Sequence, residues 1–376
     1  MVRGVTVTGD FVRSDRDGRP GEGDRSIVWL FNAIKRQVSR ASFLPVHLLT
    51  ARDCAELGRW VESARPPQDA DRYWAAVYDD LPMDAALERT LLPRLQGRFV
   101  VGNELPPYLR RLLDRLGTPW LDLRIHPVRF LDDLLFAAGA SEPETRHALL
   151  GMAVPEDHVY AAAGLIEAMC RYTADCGLPA ETLLVVGQRT MDSSQIVAGR
   201  FFDALERRAE VGAICAGYRA VLLKPHPYGG QHSLLLAAAA APNALGVTAD
   251  NLYRMLAQAE IASVLTVNSS VAYEARYFDK RIHTLAPLPV RIAWRGGRDE
   301  ADTCASLDDR VLSGDFWRVV LAPHASVSPC DGARLPPKPN RLRIALDSFW
   351  NFQEIDTNRI PTAAVSLATA APRAAA

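Results

Sequence analysis

Two short stretches of the chain carry side chains suited to holding an anion. The apolar run Ala220-Val-Leu-Leu223 reads as a strand buried on both faces, and it ends in Lys224-Pro225-His226-Pro227. Two prolines exclude helix and fix the backbone on either side of one imidazole. A cation and a histidine are thus displayed at the carboxyl end of a strand, where open α/β sheets bind their ligands. The second stretch, Ile261-Ala-Ser-Val-Leu-Thr-Val267, is again strand-like and runs through Asn268-Ser269-Ser270 into a helical pattern over residues 271–278. Hydroxyls and free N–H groups at the positive end of a helix make an anion site. Asn268 or Ser270 serves equally well as a simple helix cap, while Glu274 lies one residue beyond the capping-box spacing. Taken together, Lys224, His226 and the two serines predict a bound phosphate, with a nucleotide as its owner.

Other polar residues stand at predicted strand ends. Thr182–Gln188 is a buried strand followed by the polar loop Arg189-Thr-Met-Asp192-Ser193-Ser194. Asp192 there fits a nucleophilic carboxylate and fits an Asx-turn or helix cap equally. Arg98–Gly102 is a short strand with Asn103-Glu104 at its end, which places Glu104 either as a site residue or as a solvated loop carboxylate. Val5–Thr8 leads into Gly9-Asp10-Phe11. Trp120–His126 alternates Leu121, Leu123 and Ile125 with Asp122, Arg124 and His126, the pattern of a half-buried strand whose polar face looks into a cleft. His126 suits a donor role and equally a structural one. Pro127 is expected to open a helix.

The totals exclude several classes of protein. Hydrophobic content of 48% with 23% charged residues describes a globular chain, and the net charge of -1 gives no support to nucleic-acid binding. The six cysteines form no CxxC pair, so neither a zinc site nor a disulfide frame is indicated. No signal core and no apolar span of membrane length is present, so a cytoplasmic protein is expected. Asp132-Asp133 is the nearest thing to a metal-binding carboxylate pair in the cleft segments, and its setting suggests a solvated face.

At 376 residues the chain suits two domains. Alternating apolar runs and helices predict α/β architecture with parallel sheets. Residues 1–176 are expected to form the first Rossmann-like domain and 177–335 the second, with the joint near Gly177-Leu-Pro. Residues 336–360 should return as a helix across the first domain, and 361–376 should form a frayed tail. The glycine-rich loop 14–24 contains no ordered dinucleotide fingerprint.

Gly187-Gln188…Asp192-Ser193-Ser194, Lys224-Pro225-His226-Pro227 and Asn268-Ser269-Ser270…Glu274-Ala275…Lys280 together resemble the bacterial capsule and lipopolysaccharide Kdo transferases. The retaining β-Kdo transferases that use CMP-Kdo are the nearest group. The opening Val7-Thr-Gly-Asp-Phe11, the Glu104-Leu-Pro stretch and Arg124-Ile-His-Pro-Val-Arg-Phe130 look like that group too, so the resemblance spans roughly residues 5–355. The His-Pro and Ser-Ser pairs are also similar to motifs of CMP-sialic-acid transferases. What the resemblance implies is a GT-B-like fold of two facing Rossmann-like domains. It also implies a donor site of Gln188, Arg189, Lys224, Pro225, His226, Asn268, Ser269, Ser270 and Glu274, with Asp192 as nucleophile. Glu104 would be the base on the acceptor side, and Asp10, Arg124, His126 and Ser194 would be further cleft residues. The partners implied are a nucleotide-sugar donor and a glycan acceptor, with a lipid-linked acceptor drawing the protein to the inner face of the inner membrane. No metal or other cofactor is expected. Two alternatives stay open: an inverting CMP-sialic acid or Kdo transferase of the same fold, and a non-catalytic nucleotide-binding subunit of a polysaccharide assembly complex.

Overall fold

A computed structural model describes residues 1–13, 22–64, 66, 68–170, 177–227, 233–330, 332 and 335–347. Of the glycine-rich loop expected over 14–24, residues 14–21 lie outside the described residues and 22–24 open a helix instead; the distal part of the returning helix and the tail 361–376 also lie outside the described residues.

The first sheet takes strands β1 (Val5–Gly9), β2 (Val46–Leu48), β3 (Phe99–Asn103), β4 (Trp120–Ile125) and β5 (Phe136–Ala140). The second takes β6 (Thr182–Val186), β9 (Ala220–Lys224), β10 (Ala244–Val247), β11 (Ile261–Thr266) and β12 (Arg281–Thr284), while β7 (Ile196–Val197) and β8 (Arg200–Phe201) form a separate hairpin. The chain then returns, adding β13 (Arg291–Ala293) and β14 (Thr303–Leu307) to the first sheet. The orders are β13-β14-β5-β4-β3-β1-β2 and β10-β9-β6-β11-β12. Pairing in the second sheet is parallel throughout, and in the first only the two ladders made by β5 are antiparallel. Two Rossmann-like α/β units with a cleft between them are therefore the architecture of the chain.

Local sequence explains the layers. The helix Glu22–Ser42 buries Ile27, Leu30, Ile34 and Val38, spaced as one helical face, against Val5 and Val7 of β1. Gly9 permits that approach, since a Cβ there would meet Ile27 at 2.8 Å and the Asn103 carbonyl at 2.7 Å. The opposite face of the first sheet buries Val100 with Leu105, Leu109 and Leu113. In the second sheet Leu183 and Val185 point to one core while Leu184 and Val186 point to the other, as a strand covered on both faces requires.

Three expectations are corrected. The second unit does not extend to 335, because residues 291–307 pair with the first sheet and the helix Gly314–Leu321 packs on Glu22–Ser42. The helix expected from Pro127 is instead an irregular loop leading into β5, whose Phe136-Ala-Ala-Gly-Ala140 has no β-branched residue to betray a strand. The helix expected over 271–278 is α-helical only for Val271–Glu274 and tightens to a 3-10 turn over Ala275–Phe278. The returning helix is present over Arg341–Leu346 and buries Leu342 in the first core.

Two segments cross between the units. The loop after β4 buries Val128, Phe130, Leu131 and Leu135 in the core of the second sheet, where Phe130 meets Tyr253 at 5.7 Å and Phe278 at 5.3 Å. In the other direction the β7–β8 hairpin sets Phe201 against Trp74 of the first unit at 5.7 Å. Each large apolar side chain so buried contributes about 1.5–3 kcal/mol.

Candidate functional site

The second sheet winds from β6 outward to β9 and β10, then resumes on the other side of β6 with β11 and β12. Its topological switch point lies beside β6, and in such sheets ligands occupy the crevice beyond the carboxyl ends of the strands there. Lys224 ends β9 opposite Val186 of β6, and the Gly187 N–H donates to the Lys224 carbonyl at 2.9 Å. Gly187 allows this closeness, for a Cβ would lie 3.1 Å from Leu235 and 3.5 Å from the His226 nitrogen. The result is an open cleft with about 730 Å³ of empty space, part of it continuous with solvent. Lys224, Pro225, His226, Ser269, Ser270 and Glu274 all line it. Two stretches that are separate in sequence thus meet around one space.

Its electrostatics are cationic. The His226 pKa is lowered, chiefly by burial and then by the charges of Arg189 and Arg129, with Lys224 adding to the effect and Asp192 opposing it. The His226 imidazole thus stands within reach of three cationic side chains, Arg189, Arg129 and Lys224. Lys224 itself is buried and donates to the Asp250 carbonyl. Arg129 also lines the cleft and escaped the sequence reading. Its place within the Arg124–Phe130 stretch was the only signal, and the helix expected there hid the loop that carries it inward.

The serines present hydroxyls and backbone rather than a strong dipole. Ser270 makes no side-chain cap, and Ser269 Oγ accepts from the Val271 N–H at 3.4 Å, a long contact. The four-residue helix behind them is short, so the macrodipole argument loses most of its force.

Glu274 is buried, and its Oε1 accepts from the Arg129 N–H at 2.8 Å and from the Tyr253 hydroxyl at 3.0 Å. Burial pushes its pKa up to about 7 against the pull of these donors and of Arg129 and Arg343. Gln188 and Asn268 form a buried knot. Gln188 Nε2 donates to Asn268 Oδ1 at 3.0 Å, Gln188 Oε1 accepts from the Asn268 N–H at 3.1 Å, and Asn268 Nδ2 donates to the Ser194 carbonyl at 2.5 Å. These amides tie the loops after β6 and β11 together and do not line the cleft.

Asp192 caps the 3-10 turn Ser193–Gln195, its Oδ1 accepting from the Ser194 N–H at 2.9 Å and from the Ser194 hydroxyl at 2.7 Å. The Tyr78 phenol of the first unit lies beside this turn, close enough for Ser193 to act on its pKa. Asp192 does not line the main cleft but lies within electrostatic reach of His226. Its loop also borders a second hollow, lined among others by Thr190, Met191, Gln195 and Phe202, with about 780 Å³ of empty space.

The first-unit candidates separate from the cleft. Glu104 is exposed at the end of β3 with φ of 53°, in the left-handed region that a glutamate adopts at a cost. Arg124 is paired with Asp122 at 2.5 Å, and Asp122 also accepts the Leu105 N–H at 2.7 Å. Asp10 is buried and accepts from Trp74 Nε1 at 2.7 Å, the Tyr108 hydroxyl at 3.1 Å and the Val12 N–H at 3.1 Å, so it organises a turn. His126 is fully buried, not a cleft residue. Its Nδ1 accepts the Val128 N–H at 3.0 Å, which leaves Nε2 to donate to Ser306 Oγ at 3.1 Å. Burial lowers its pKa to about 3. Asp133, expected on a solvated face, instead caps the returning helix by accepting the Leu342 N–H at 2.9 Å.

Among the described residues no three His, Cys, Asp or Glu side chains gather as a metal cage, and no helix is long and apolar enough to cross a membrane. No family profile matches the chain, and no curated relative does. Among solved structures the chain is similar to KpsC of Thermosulfurimonas dismutans, a β-Kdo 2,7 transferase, with 14% identity over 54% of this chain and 69% of that one and a TM-score of 0.32. That is a distant likeness to a glycosyltransferase, and it carries no argument about chemistry.

Proposed function

We propose that the chain is a glycosyltransferase that moves Kdo from CMP-Kdo to a sugar hydroxyl of a bacterial surface polysaccharide or its lipid-linked precursor. The observation that carries this reading is the meeting of Lys224, His226, Ser269 and Ser270 around one cationic cleft at the switch point of a parallel sheet. A phosphate suits that cleft, and the motifs around it resemble those of CMP-sugar enzymes.

In this reading the donor phosphate lies among Lys224, His226 and the serine hydroxyls, with Arg129 and Arg189 adding positive charge. Departure of CMP leaves an electron pair on a phosphate oxygen, and the cations neutralise the charge that grows there. A charge-assisted hydrogen bond of this kind is worth roughly 1.5–3 kcal/mol. Asp192 attacks the anomeric carbon as that bond breaks and forms a glycosyl ester. An acceptor hydroxyl then displaces the carboxylate with net retention, its proton passing to a base such as Glu104. Among the described residues both hydrogen bonds to Asp192 fall on Oδ1, which leaves Oδ2 for the attack.

The test is release of CMP from CMP-Kdo and from CMP-sialic acid side by side, with and without glycan acceptors, and the anomeric configuration of any product by NMR. Turnover of neither donor sinks the proposal, and an inverted product removes the glycosyl-aspartate.

A further inference from the structure

Arg129 reaches the cleft from the first unit on a loop whose backbone is gripped from two sides. Its N–H donates to Glu274 Oε1 at 2.8 Å, and its carbonyl accepts from Arg343 at 2.6 Å. Val128 and Phe130 on either side are buried in the core of the second sheet. Arg343 comes from the returning helix Arg341–Leu346, is fully buried, and also donates to the Leu131 carbonyl at 2.7 Å. The helix that delivers it is seated by Asp133, which accepts the N–H groups of Leu342 at 2.9 Å and Arg343 at 3.2 Å.

A buried guanidinium is an expensive way to fill space, since its desolvation must be offset by good partners. An apolar side chain would bury the same volume more cheaply. What Arg343 supplies, and an apolar side chain cannot, is a planar Nη2 whose two N–H groups fix two alternate carbonyls of one loop. The peptide between those carbonyls and the Glu274 carboxylate belongs to Arg129, the residue of that loop that lines the cationic cleft.

We propose that Arg343 and Glu274 are positioning residues, a two-sided clamp on the peptide at Arg129 that holds its guanidinium at the cleft. The returning helix is then a working part of the anion site although it does not line it. The idea rests on the cleft being a phosphate site only for its second readout below.

The Arg129 charge acts on Glu274, Tyr253, Arg343 and His126 on the clamp side and on His226 on the cleft side, where Arg189, Lys224 and Asp192 also act on the imidazole. The His226 imidazole therefore reports on where the Arg129 charge sits. In the whole 376-residue chain without nucleotide, the His226 titration is followed by NMR for Arg129→Ala, Arg343→Met, Arg343→Lys and Asp133→Asn, and CMP binding is measured by calorimetry. Arg129→Ala should raise the His226 midpoint and weaken CMP at least tenfold. Arg343→Met and Asp133→Asn should reproduce both changes in part, with CMP weakened threefold or more, and Arg343→Lys should recover toward the parent. Folded Arg343→Met and Asp133→Asn proteins with the parental His226 midpoint would overturn the clamp. So would loss of fold in all three clamp variants, which would assign Arg343 to holding the chain together. Shifts in His226 as expected, with no CMP binding by any protein, would uphold the clamp and remove the nucleotide reading.

Discussion

The Tyr253 phenol donates to the Glu274 carboxylate at 3.0 Å, and both side chains are buried. Burial dominates the acid, raising it from 4.5 to about 7, and it also raises the phenol well above its ordinary value, so Tyr253 remains a donor throughout. Because the folded pKa exceeds the unfolded one, protonation of Glu274 favours the folded state. That contribution is complete below pH 4.5 and is lost as pH rises through 7. Glu274→Gln removes the buried charge and keeps an acceptor, so it should stabilise the protein at pH 8 by about 1–3 kcal/mol and bring little below pH 5. Urea unfolding at the two values checks this, and an equal effect at both would refute it.

Asp192→Asn retains an oxygen for the Ser194 N–H but has no nucleophile. Transfer should fall by at least about a thousandfold with the melting temperature nearly unchanged. Asp192→Ala should lose the cap as well, at a cost of about 0.5–2 kcal/mol. Kinetics and thermal melts of the two variants separate the chemical role from the capping one, and a fully active Asp192→Asn enzyme ends the first.

Nucleotide binding should take up protons near neutral pH. An anion beside His226 reverses the depression imposed by burial, Arg189 and Arg129 and favours the imidazolium. CMP affinity should therefore rise as pH falls from 8 to 6. Calorimetry in two buffers of different ionisation enthalpy gives the proton count, and Lys224→Met should weaken binding at every pH. Binding that is flat across that range tells against His226 as a phosphate partner.

His126 should matter to stability and not to chemistry. Removing it leaves the Val128 N–H and the Ser306 hydroxyl without their partner and opens a cavity, so His126→Ala should cost about 2–4 kcal/mol. With its folded pKa depressed to about 3 from 6.5, the buried neutral ring contributes stability above pH 6.5 that is lost as pH falls. The variant should show a shallower decline in stability between pH 6.5 and 4. A large loss of turnover with unchanged stability would return His126 to the site.

Strand–loop junctions were the legible part of this chain. Lys224-Pro225-His226 announces itself because two prolines and an apolar run leave one conformation for the residues between them, and the switch point does the rest. Residues whose role depends on remote partners were not legible. Gln188 enters the donor site through the family resemblance and Asn268 as an anion-site residue or a helix cap, but their amides are spent on each other and on Ser194. Arg129 was hidden because Pro127 suggested a helix, when distant cores and the Glu274 and Arg343 contacts fix that segment as a loop. The return of residues 291–307 to the first sheet is likewise a pairing that no local pattern encodes.

That return has a consequence for synthesis. As the chain leaves the ribosome, the strands of the second sheet are complete before β13 and β14 have been made. The edge of the first sheet beside β5 must wait, unpaired, while the inserted unit folds. The second unit is joined to its host at both ends and is pinned again by the loop after β4, whose Phe130 sits in its core, so its folding and the closing of that edge are tied together.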